Sequence, residues 1–458
     1  MRLAAGAGYT PAIDKNAPLG MSVLGDDTPH LSCPFGSLCR LNTFCIFSHP
    51  ERERGTAKRN VTVVGGMEPH VPARASSSAL LMQLQQIEEA VARQMIPEER
   101  VVMLHRVSKA VQTVMQSVRP TARIKVKHNQ PFDRLDESMN DMVRWCRVTA
   151  LDLSEIAIGA DGAGQLEKTL KEPSALANLD LRGNSIGARG AGRLAAVLRY
   201  CSALSHLDLR GNSIGNEGAG SLAAVLRECT SLTHLNLYGN SIRAEGAGRL
   251  AAVLKESPSL VHLNLGCNSI EADGVRQLVA FLGECQSLSH LNLYGNSIGD
   301  EGAGWLAAVL EECPSLAGLD IGGNNIGAEG AAQLSAVFGK CRSLAHVNLE
   351  CNFIGSEGVR CLATTLGECR SLVQLNLHGN SIGDDGAIRI AAGLQLCPSL
   401  THLNLRRNSI GAEGVEQLAA VLRECPSLTH LNLVGNSIGT EGAHQFRVAQ
   451  SESLDLRL

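Results

Sequence analysis

Three cysteines and one histidine near the start of the chain have the residue types and the spacing of a metal site. The segment follows the pattern C-x5-C-x5-C-x3-H, from Cys33 through Cys39 and Cys45 to His49. Three thiolates and one imidazole complete the tetrahedral shell of a structural zinc ion and leave no position for a catalytic water. The sequence therefore predicts one structural Zn²⁺ held by these four residues, and the alternative is an accidental grouping of cysteines near a histidine.

Three phenylalanines and an arginine lie inside this short window, at Phe35, Arg40, Phe44 and Phe47. So small a segment has little core in which to bury aromatic rings, and exposed rings beside a basic residue suit the stacking of single-stranded RNA bases. The segment resembles a CCCH-type zinc finger, in particular the short-spaced subset of nuclear poly(A)-binding proteins. Its first spacing is shorter than that of the common form. The resemblance implies RNA contact, although a lone finger can instead dock a protein.

The elements that follow are organised by a 28-residue repeat. Each copy reads L-x-x-L-x-L-x-x-N-x-I, and a degenerate first copy begins at Leu151 with Ile156 in place of the asparagine. The pattern predicts a short strand with inward leucines, a turn whose asparagine amide satisfies backbone groups, and an amphipathic helix. No single unit can bury such a helix face, so the units must stack. The repeated asparagines are Asn184, Asn212, Asn240, Asn268, Asn296, Asn324, Asn352, Asn380, Asn408 and Asn436.

Residues 151–458 resemble the ribonuclease-inhibitor type of leucine-rich repeat, which also occurs in Ran GTPase-activating protein and in NACHT-type immune sensors. The resemblance implies an α/β fold: a right-handed solenoid, or horseshoe, of about eleven 28-residue βα repeats. Strands would line the concave side and helices the convex side, and a protein partner would bind the concave face. The phosphate loop that a NACHT motor needs, G-x-x-x-x-G-K-[ST], does not occur in the sequence.

One outward strand position varies between otherwise similar copies. Variation on an exposed face indicates ligand contacts, and tyrosine and arginine are types that anchor interfaces. The alternative is neutral drift at solvated positions. The sequence predicts partner contacts at Arg182, Arg210, Tyr238, Tyr294, Glu350, His378 and Arg406.

Two other outward positions are nearly constant, one histidine and one aspartate or asparagine. Neighbouring parallel strands lie about 4.8 Å apart, so charged imidazoles in a row would repel one another. Parallel side chains also do not converge on a metal ion. We therefore expect neutral histidines that hydrogen-bond to the neighbouring aspartate and asparagine row.

Eight cysteines recur at one position near the helix end. Helices of neighbouring repeats pack about 8–10 Å apart, which is too far for a disulfide. The sequence predicts small buried fillers, which suits a reducing compartment, the cytoplasm or the nucleus. These cysteines are Cys201, Cys229, Cys285, Cys313, Cys341, Cys369, Cys397 and Cys425.

The sequence divides into six predicted segments. They are a disordered segment 1–30, a CCCH zinc finger 31–50, a linker 51–78, a helical hairpin 79–120, a linker with an N-terminal cap helix 121–150, and the repeat domain 151–458. A helical pair that dimerises is the alternative for the hairpin.

Both ends of the repeat domain carry a further expectation. Before it, a basic run indicates a solvated strand edge, with phosphate binding as the alternative; the run comprises Arg123, Lys125, Lys127 and His128. The apolar pattern of 133–147 predicts the cap helix. After it, 453–458 resembles the start of another repeat. No second cap is visible there, so we expect an end that a partner covers or a truncated chain.

Charge separates the two parts of the chain. Residues 1–150 hold 19 Lys and Arg against 14 Asp and Glu, whereas residues 151–458 hold 22 against 31, a net charge of −9. The net charge of −4 excludes a polybasic nucleic-acid coat, and no apolar run is long enough for a membrane span.

No residue constellation indicates catalysis, so the sequence predicts a non-enzymatic adaptor. The repeats would bind a protein, and the zinc finger would contact RNA or a second protein. The alternatives are a GTPase-regulating or immune-sensor-like scaffold, and a ribonuclease-inhibitor-like blocker of a basic protein, which the negative repeats would attract. The oligomeric state stays open.

Overall fold

The computed structural model describes residues 62–63, 121–125, 147–170, 175–449 and 454–458. The chain divides into two compact units, Met1–Gly55 and Thr56–Leu458, and every described residue belongs to the second. The predicted zinc finger, helical hairpin and cap helix lie outside the described residues, as does most of the first predicted linker.

The strands of the described residues form one 14-stranded sheet in chain order. Neighbours from β2 to β14 are parallel, and β1 and β2 are antiparallel. The strands are β1 (Thr62–Val63), β2 (Thr121–Lys125), β3 (Arg147–Asp152), β4 (Asn178–Asp180), β5 (His206–Asp208), β6 (His234–Asn236), β7 (His262–Asn264), β8 (His290–Asn292), β9 (Gly318–Asp320), β10 (His346–Asn348), β11 (Gln374–Asn376), β12 (His402–Asn404), β13 (His430–Asn432) and β14 (Asp455–Arg457).

An α-helix follows each strand from β3 to β13, as the repeat pattern predicts. A parallel pair needs such a crossover, because the chain must return to the same end of the sheet. The helices are α1 (Gly159–Thr169), α2 (Gly187–Leu198), α3 (Gly215–Leu226), α4 (Arg243–Leu254), α5 (Glu271–Glu284), α6 (Gly299–Leu310), α7 (Ala328–Phe338), α8 (Gly355–Thr365), α9 (Gly383–Leu394), α10 (Ala412–Val421) and α11 (Gly439–Ala449).

The repeat length sets the register of the sheet. Leu179 pairs with Leu207, and Leu207 pairs with Leu235, each 28 residues further along the chain. Equivalent residues therefore stand side by side from β4 to β13. The central residue of each of these strands is buried, and its two neighbours on the opposite face are mostly half-buried. This confirms the alternation predicted from the sequence.

One apolar core runs the length of the repeats, from Val148 to Leu454. Each helix adds one face to it: in α3 the buried residues include Leu222, Val225 and Leu226. Burying one such leucine contributes about 1.5–3 kcal/mol. The core is therefore assembled from small contributions that each unit makes only together with its neighbours.

The cysteines at the helix ends are buried in this core, except Cys341, which is half-buried. All eleven cysteines in the described part of the chain are free thiols, including the eight for which this was predicted. The thiol of Cys313 lies 3.4 Å from both the Leu282 and Val309 carbonyl oxygens, one in the neighbouring repeat and one in its own. Burial raises the pKa of Cys313 to about 12, so the thiol is a packing group and not a nucleophile.

A strand precedes the first repeat where a linker was predicted. Residues Thr121–Lys125 form β2, which pairs with β3 through a register shift between Ala122 and Arg123. The strand expected at Arg123 and Lys125 is present, but it is not an edge, because β1 pairs with its other side. Pairing is favoured because an open edge of β3 would leave backbone N–H and C=O groups without partners.

Candidate functional site on the open face of the sheet

The open face of the sheet is the side opposite the helices, and three rows of side chains cross it. The histidine row comprises His206, His234, His262, His290, His346, His402 and His430. The Asx row, two residues further in each repeat, comprises Asp180, Asp208, Asn236, Asn264, Asn292, Asp320, Asn348, Asn376, Asn404 and Asn432. The variable row, a further two residues on, comprises Arg182, Arg210, Tyr238, Gly266, Tyr294, Gly322, Glu350, His378, Arg406 and Val434.

Beneath the variable row, the repeated asparagines tie one turn to the next. Asn212 is fully buried; its Oδ1 accepts the backbone N–H groups of Asn184 at 3.0 Å and Ile186 at 3.4 Å. Its Nδ2 donates to the carbonyl oxygens of Leu181 at 2.9 Å and Leu209 at 2.8 Å. One side chain thus satisfies four backbone groups in two repeats, which confirms the role predicted for this asparagine.

The Asx row fixes the backbone of the variable row. The Oδ1 atom of Asp208 accepts the N–H of Arg210 at 3.0 Å, and Asn292 accepts that of Tyr294 at 2.9 Å. This Asx turn repeats along the sheet. Only a short side chain with a carbonyl-type oxygen fits it, which explains why aspartate and asparagine alone occupy the row. The sequence revealed the row but not this function.

The histidine row stacks face to face. Ring centroids lie 4.1 Å apart for His206 and His234, 4.2 Å for His234 and His262, and 4.3 Å for His262 and His290. Burial, reinforced by the neighbouring imidazoles, lowers the pKa of His234 to about 3 and that of His262 to about 4. These low values agree with the expectation that the row is neutral.

The predicted hydrogen-bond partner of the histidines was wrong. In five of the seven, Nδ1 meets the hydroxyl of the serine or threonine just before the histidine, as between Ser205 and His206 at 2.8 Å, and not the Asx row. Val261 and Ala345, which precede His262 and His346, have no hydroxyl. The Asx residue lies two positions further along the extended strand, beyond the reach of the ring. Ser205 also donates to the Ala177 carbonyl at 2.9 Å, so Nδ1 of His206 carries the proton and Nε2 is an acceptor.

The predicted contact residues at the start of the variable row are already paired. Arg182 lies 3.8 Å from Asp180, and Arg210 lies 3.6 Å from Asp208, with each arginine Nε facing a carboxylate oxygen. These arginines lie along their own strands and carry little unneutralised charge. Arg406 has an asparagine, Asn404, where the other two arginines have an aspartate two residues earlier, and it forms no ion pair among the described residues. It is eight strands, or about 38 Å, from Arg182.

In the middle of the variable row, large tyrosine side chains alternate with glycines. The ring of Tyr238 covers Gly266: an ideal Cβ on that glycine would lie 2.7 Å from Tyr238 Cδ2. The thiol of Cys267 donates to the Tyr238 hydroxyl at 2.8 Å. Tyr294 covers Gly322 in the same way. The sequence predicted contacts at the tyrosines of this row and none at the glycines, although the position of the glycines beside tyrosines was the available signal.

Glu350 completes this central region. It is only 7% exposed, and its Oε2 accepts a hydrogen bond from Asn376 at 2.7 Å. His378 Nδ1 lies 3.9 Å from the same oxygen. Burial alone would raise the pKa of Glu350, but the nearby His378 imidazole and the hydrogen bond from Asn376 outweigh it and hold the pKa below its usual value. The structure therefore joins Tyr294, Glu350 and His378 into one patch.

Asp320 lies in the Asx row beside this patch. Its carboxylate accepts hydrogen bonds from Asn348 at 3.0 Å, Asn292 at 3.2 Å and the Gly322 N–H at 3.1 Å. Burial, opposed by these bonds and reinforced by Glu350, raises the pKa of Asp320 to about 6.

Metal and membrane features were also sought in the described part of the chain. No group of three or more His, Cys, Asp or Glu residues there is placed to hold a metal ion. The predicted ligands Cys33, Cys39, Cys45 and His49 lie outside the described residues, as do the RNA-contact positions Phe35, Arg40, Phe44 and Phe47. None of the described helices is both long and apolar enough to cross a membrane.

The chain is similar to known repeat proteins. The first of two solved structures is a chain of a yeast Rad7–Elc1 complex, 15% identical over 83% of this chain and 98% of that chain, with a TM-score of 0.49. The second is an internalin, InlF, from Listeria monocytogenes, 18% identical over 78% and 92%, with a TM-score of 0.47. No curated protein sequence matches the chain.

The leucine-rich repeat profile matches nine successive segments. They are residues 200–223, 228–251, 256–279, 284–307, 312–335, 340–363, 368–391, 396–419 and 424–444. Each contains one strand of the sheet and the start of the helix that follows it. The repeats built on the buried asparagines and stacked leucines thus belong to the leucine-rich repeat family.

Proposed function

We propose that this protein is a non-catalytic scaffold that binds a protein partner on the open face of its sheet. The observation that carries the proposal is the construction of the variable row. The Asx turns hold every backbone of this row in the same geometry, while the side chains differ from repeat to repeat. A rigid frame with changing side chains is suited to selective binding, because little conformational freedom is lost on association.

The side chains in the row also fit a protein interface. Tyrosine and arginine, which anchor interfaces, occupy Arg182, Arg210, Tyr238, Tyr294 and Arg406. The tyrosines are half-buried by their neighbours before any partner binds. Their rings therefore present apolar area without a large loss of side-chain freedom.

Site-specific photo-crosslinking tests the proposal. Tyr238 is replaced by p-benzoylphenylalanine in the full-length chain, which is then irradiated in an extract of its source cells. We expect a covalent adduct with a discrete protein, suppressed by an excess of the unmodified chain. The matched control carries the same photo-reactive residue at Trp305, an exposed aromatic position on α6. Adducts at 305 and none at 238 would place the interface on the helices and reject the proposal.

We further propose that Cys33, Cys39, Cys45 and His49 hold one Zn²⁺, with RNA contact through the adjacent Phe35. The spacing of the four ligands supports this. Zinc per full-length chain is measured by elemental analysis in the wild type and in Cys39→Ser. Cys341→Ser, which alters a half-buried cysteine of the repeats, is the control. We expect one zinc in the wild type and the control and none in Cys39→Ser; equal contents would reject the site.

RNA contact is tested on the same proteins. We expect oligo(A) to bind the wild type, and both Phe35→Ala and Cys39→Ser to abolish the binding. Zinc retained without RNA binding would make the segment a protein-docking module.

The free, buried thiols of the repeats support a reducing location, the cytoplasm or the nucleus.

A further inference from the structure

The charge of the repeats is concentrated at their centre. Residues 251–350 hold four Lys and Arg against eleven Asp and Glu, a net charge of −7 out of the −9 carried by the whole repeat segment. Across the variable row, arginine occurs at 182, 210 and 406 but at no position from 238 to 378. The centre of the open face is therefore its negative part.

The ends and the centre of the row also differ in how their carboxylates are neutralised. Asp180 and Asp208 each have an arginine of the same strand within 4 Å. Among the described residues, no Lys or Arg forms an ion pair with Asp320 or Glu350. The carboxylate of Glu350 is instead held by a hydrogen bond from Asn376, and His378 Nδ1 lies 3.9 Å away. Its negative charge is therefore fixed in place and not cancelled.

An aromatic ring stands beside the aliphatic part of the Glu350 side chain. The ring of Tyr294 and the Cγ of Glu350 both lie about 3 Å from the point where a Cβ of Gly322 would stand. A ring face next to a carboxylate is a receptor for a guanidinium group, which stacks on the ring while its N–H groups bond to the oxygens. Gly322 contributes no side chain that could fill the space.

We infer that the central patch formed by Tyr294, Glu350 and Gly322 receives an arginine side chain from a basic segment of the protein partner. This inference rests on the proposed function, since it names the chemistry of the partner that the open face binds. Arginine fits better than lysine because a planar guanidinium can stack on Tyr294 and bond to Glu350 at the same time. The net charge of the surrounding repeats would attract such a segment.

Binding of fluorescein-labelled nona-arginine and nona-lysine to the full-length chain tests the inference by anisotropy. We expect nona-arginine to bind more tightly than nona-lysine, and Glu350→Gln to weaken nona-arginine binding by about tenfold or more. Gly322→Ala, which keeps every charge but displaces Tyr294 or Glu350 from its place over the glycine, should weaken it similarly. The control is Glu312→Gln, which removes one charge at an exposed position near the end of α6. It should change the dissociation constant by less than about twofold.

The outcomes separate this inference from the proposed function. Equal losses in Glu350→Gln and Glu312→Gln, or equal affinities for the two peptides, would show only diffuse attraction and would overturn the arginine site. An adduct at position 238 together with either result would leave the scaffold function standing without this site. Circular dichroism and thermal unfolding of each variant establish that a lost affinity is not a lost fold. If Glu350→Gln does not fold, the affinity of folded Gly322→Ala for nona-arginine decides whether the arginine site exists.

Discussion

Tyr294 and Glu350 belong to repeats two strands apart, yet they meet above Gly322, which lies between them. An ideal Cβ at residue 322 would stand 3.0 Å from Tyr294 Cδ2 and 2.9 Å from Glu350 Cγ. The two side chains thus share a space that exists only because the intervening residue has none.

Gly322→Ala should destabilise the protein by about 1–3 kcal/mol, because the added methyl group must displace Tyr294 or Glu350 from a packed arrangement. Chemical denaturation of the purified variant measures the change. Gly192→Ala is the matched control. Its nearest neighbour would be Ser221 Oγ at 3.7 Å, and it lies exposed inside α2. There the same substitution should stabilise the protein by about 0.5–1 kcal/mol. A change of the same sign at both positions would contradict the close contact at Gly322.

Asn296→Ala should lower the free energy of unfolding by more than about 3 kcal/mol, because it leaves four buried backbone groups without partners. The lost contacts are those to the N–H groups of Asn268 and Ile270 and to the carbonyls of Leu265 and Leu293, all between 2.9 and 3.2 Å. Hydrogen exchange should show the loss of protection in the two repeats that share the side chain. Ser297→Ala, at the exposed next residue, should stay within about 0.5 kcal/mol of the wild type. Comparable losses of stability in both variants would argue against this role of the buried asparagines.

Asp300→Ala should lower the free energy of unfolding by about 1 kcal/mol, the usual contribution of a helix N-cap. The carboxylate of Asp300, in the first turn of α6, accepts the N–H groups of Gly327 at 2.7 Å and Gly330 at 2.9 Å, and so caps the helix of the next repeat. Thermal unfolding compares this variant with Asp273→Ala. Asp273 makes only an exposed ion pair with Arg276, and its loss should cost less than about 0.5 kcal/mol. A larger loss of stability in Asp273→Ala than in Asp300→Ala would show that the cap does not account for the effect of Asp300→Ala.

Stability should fall as the pH drops below about 6.5, the pKa of an unperturbed histidine. In the folded protein the pKa of six histidines of the row is lowered, chiefly by burial, so below this pH the unfolded chain binds protons that the folded chain does not. Each such histidine can lower the free energy of unfolding by up to about 1.4 kcal/mol per pH unit. These six histidines outnumber the three aspartates that oppose the trend: Asp180 and Asp320, whose pKa values are raised to about 6, and Asp208, whose pKa is also raised by burial. The six are His206, His234, His262, His290, His346 and His402.

The substitution His234→Phe keeps a stacked ring and removes one titrating group. Its urea midpoint should fall less steeply between pH 7 and pH 5 than that of the wild type. His444→Phe, at an exposed position on α11, is the control and should follow the wild-type slope. Parallel curves for all three proteins would mean that the stacked row does not govern the acid response.

Most of the repeat architecture was predictable because one spacing carries it. A constant 28 residues between buried asparagines fixes which leucines stand side by side, and Leu207 and Leu235 pair as that spacing requires. The burial of the helix-end cysteines followed from helix packing distances. These features depend on the order of residues along the chain and on the dimensions of regular elements.

The finer contacts depend on how side chains lean across strands, which spacing does not specify. The hydroxyl of Ser205 reaches His206 because both residues sit where the chain enters the strand. Tyr294 was predicted as a contact residue, but its meeting with Glu350 requires both side chains to lean toward the same glycine. The ion pairs of Arg182 and Arg210 likewise depend on a chosen rotamer. Such choices are made by local packing and not by the repeat.

The asparagine ladder has a consequence for how this chain can change length. The asparagine of one unit binds the unit before it: Asn212 accepts the N–H of Asn184 and donates to the Leu181 carbonyl. The Leu209 carbonyl of the same unit in turn accepts the amide of Asn240 from the unit after it. Duplication or excision of one whole 28-residue unit would therefore rejoin matching surfaces and keep the core intact. What would change is the order of side chains along the variable row. Gains and losses of whole units could thus alter the partner that is recognised without any redesign of the interior.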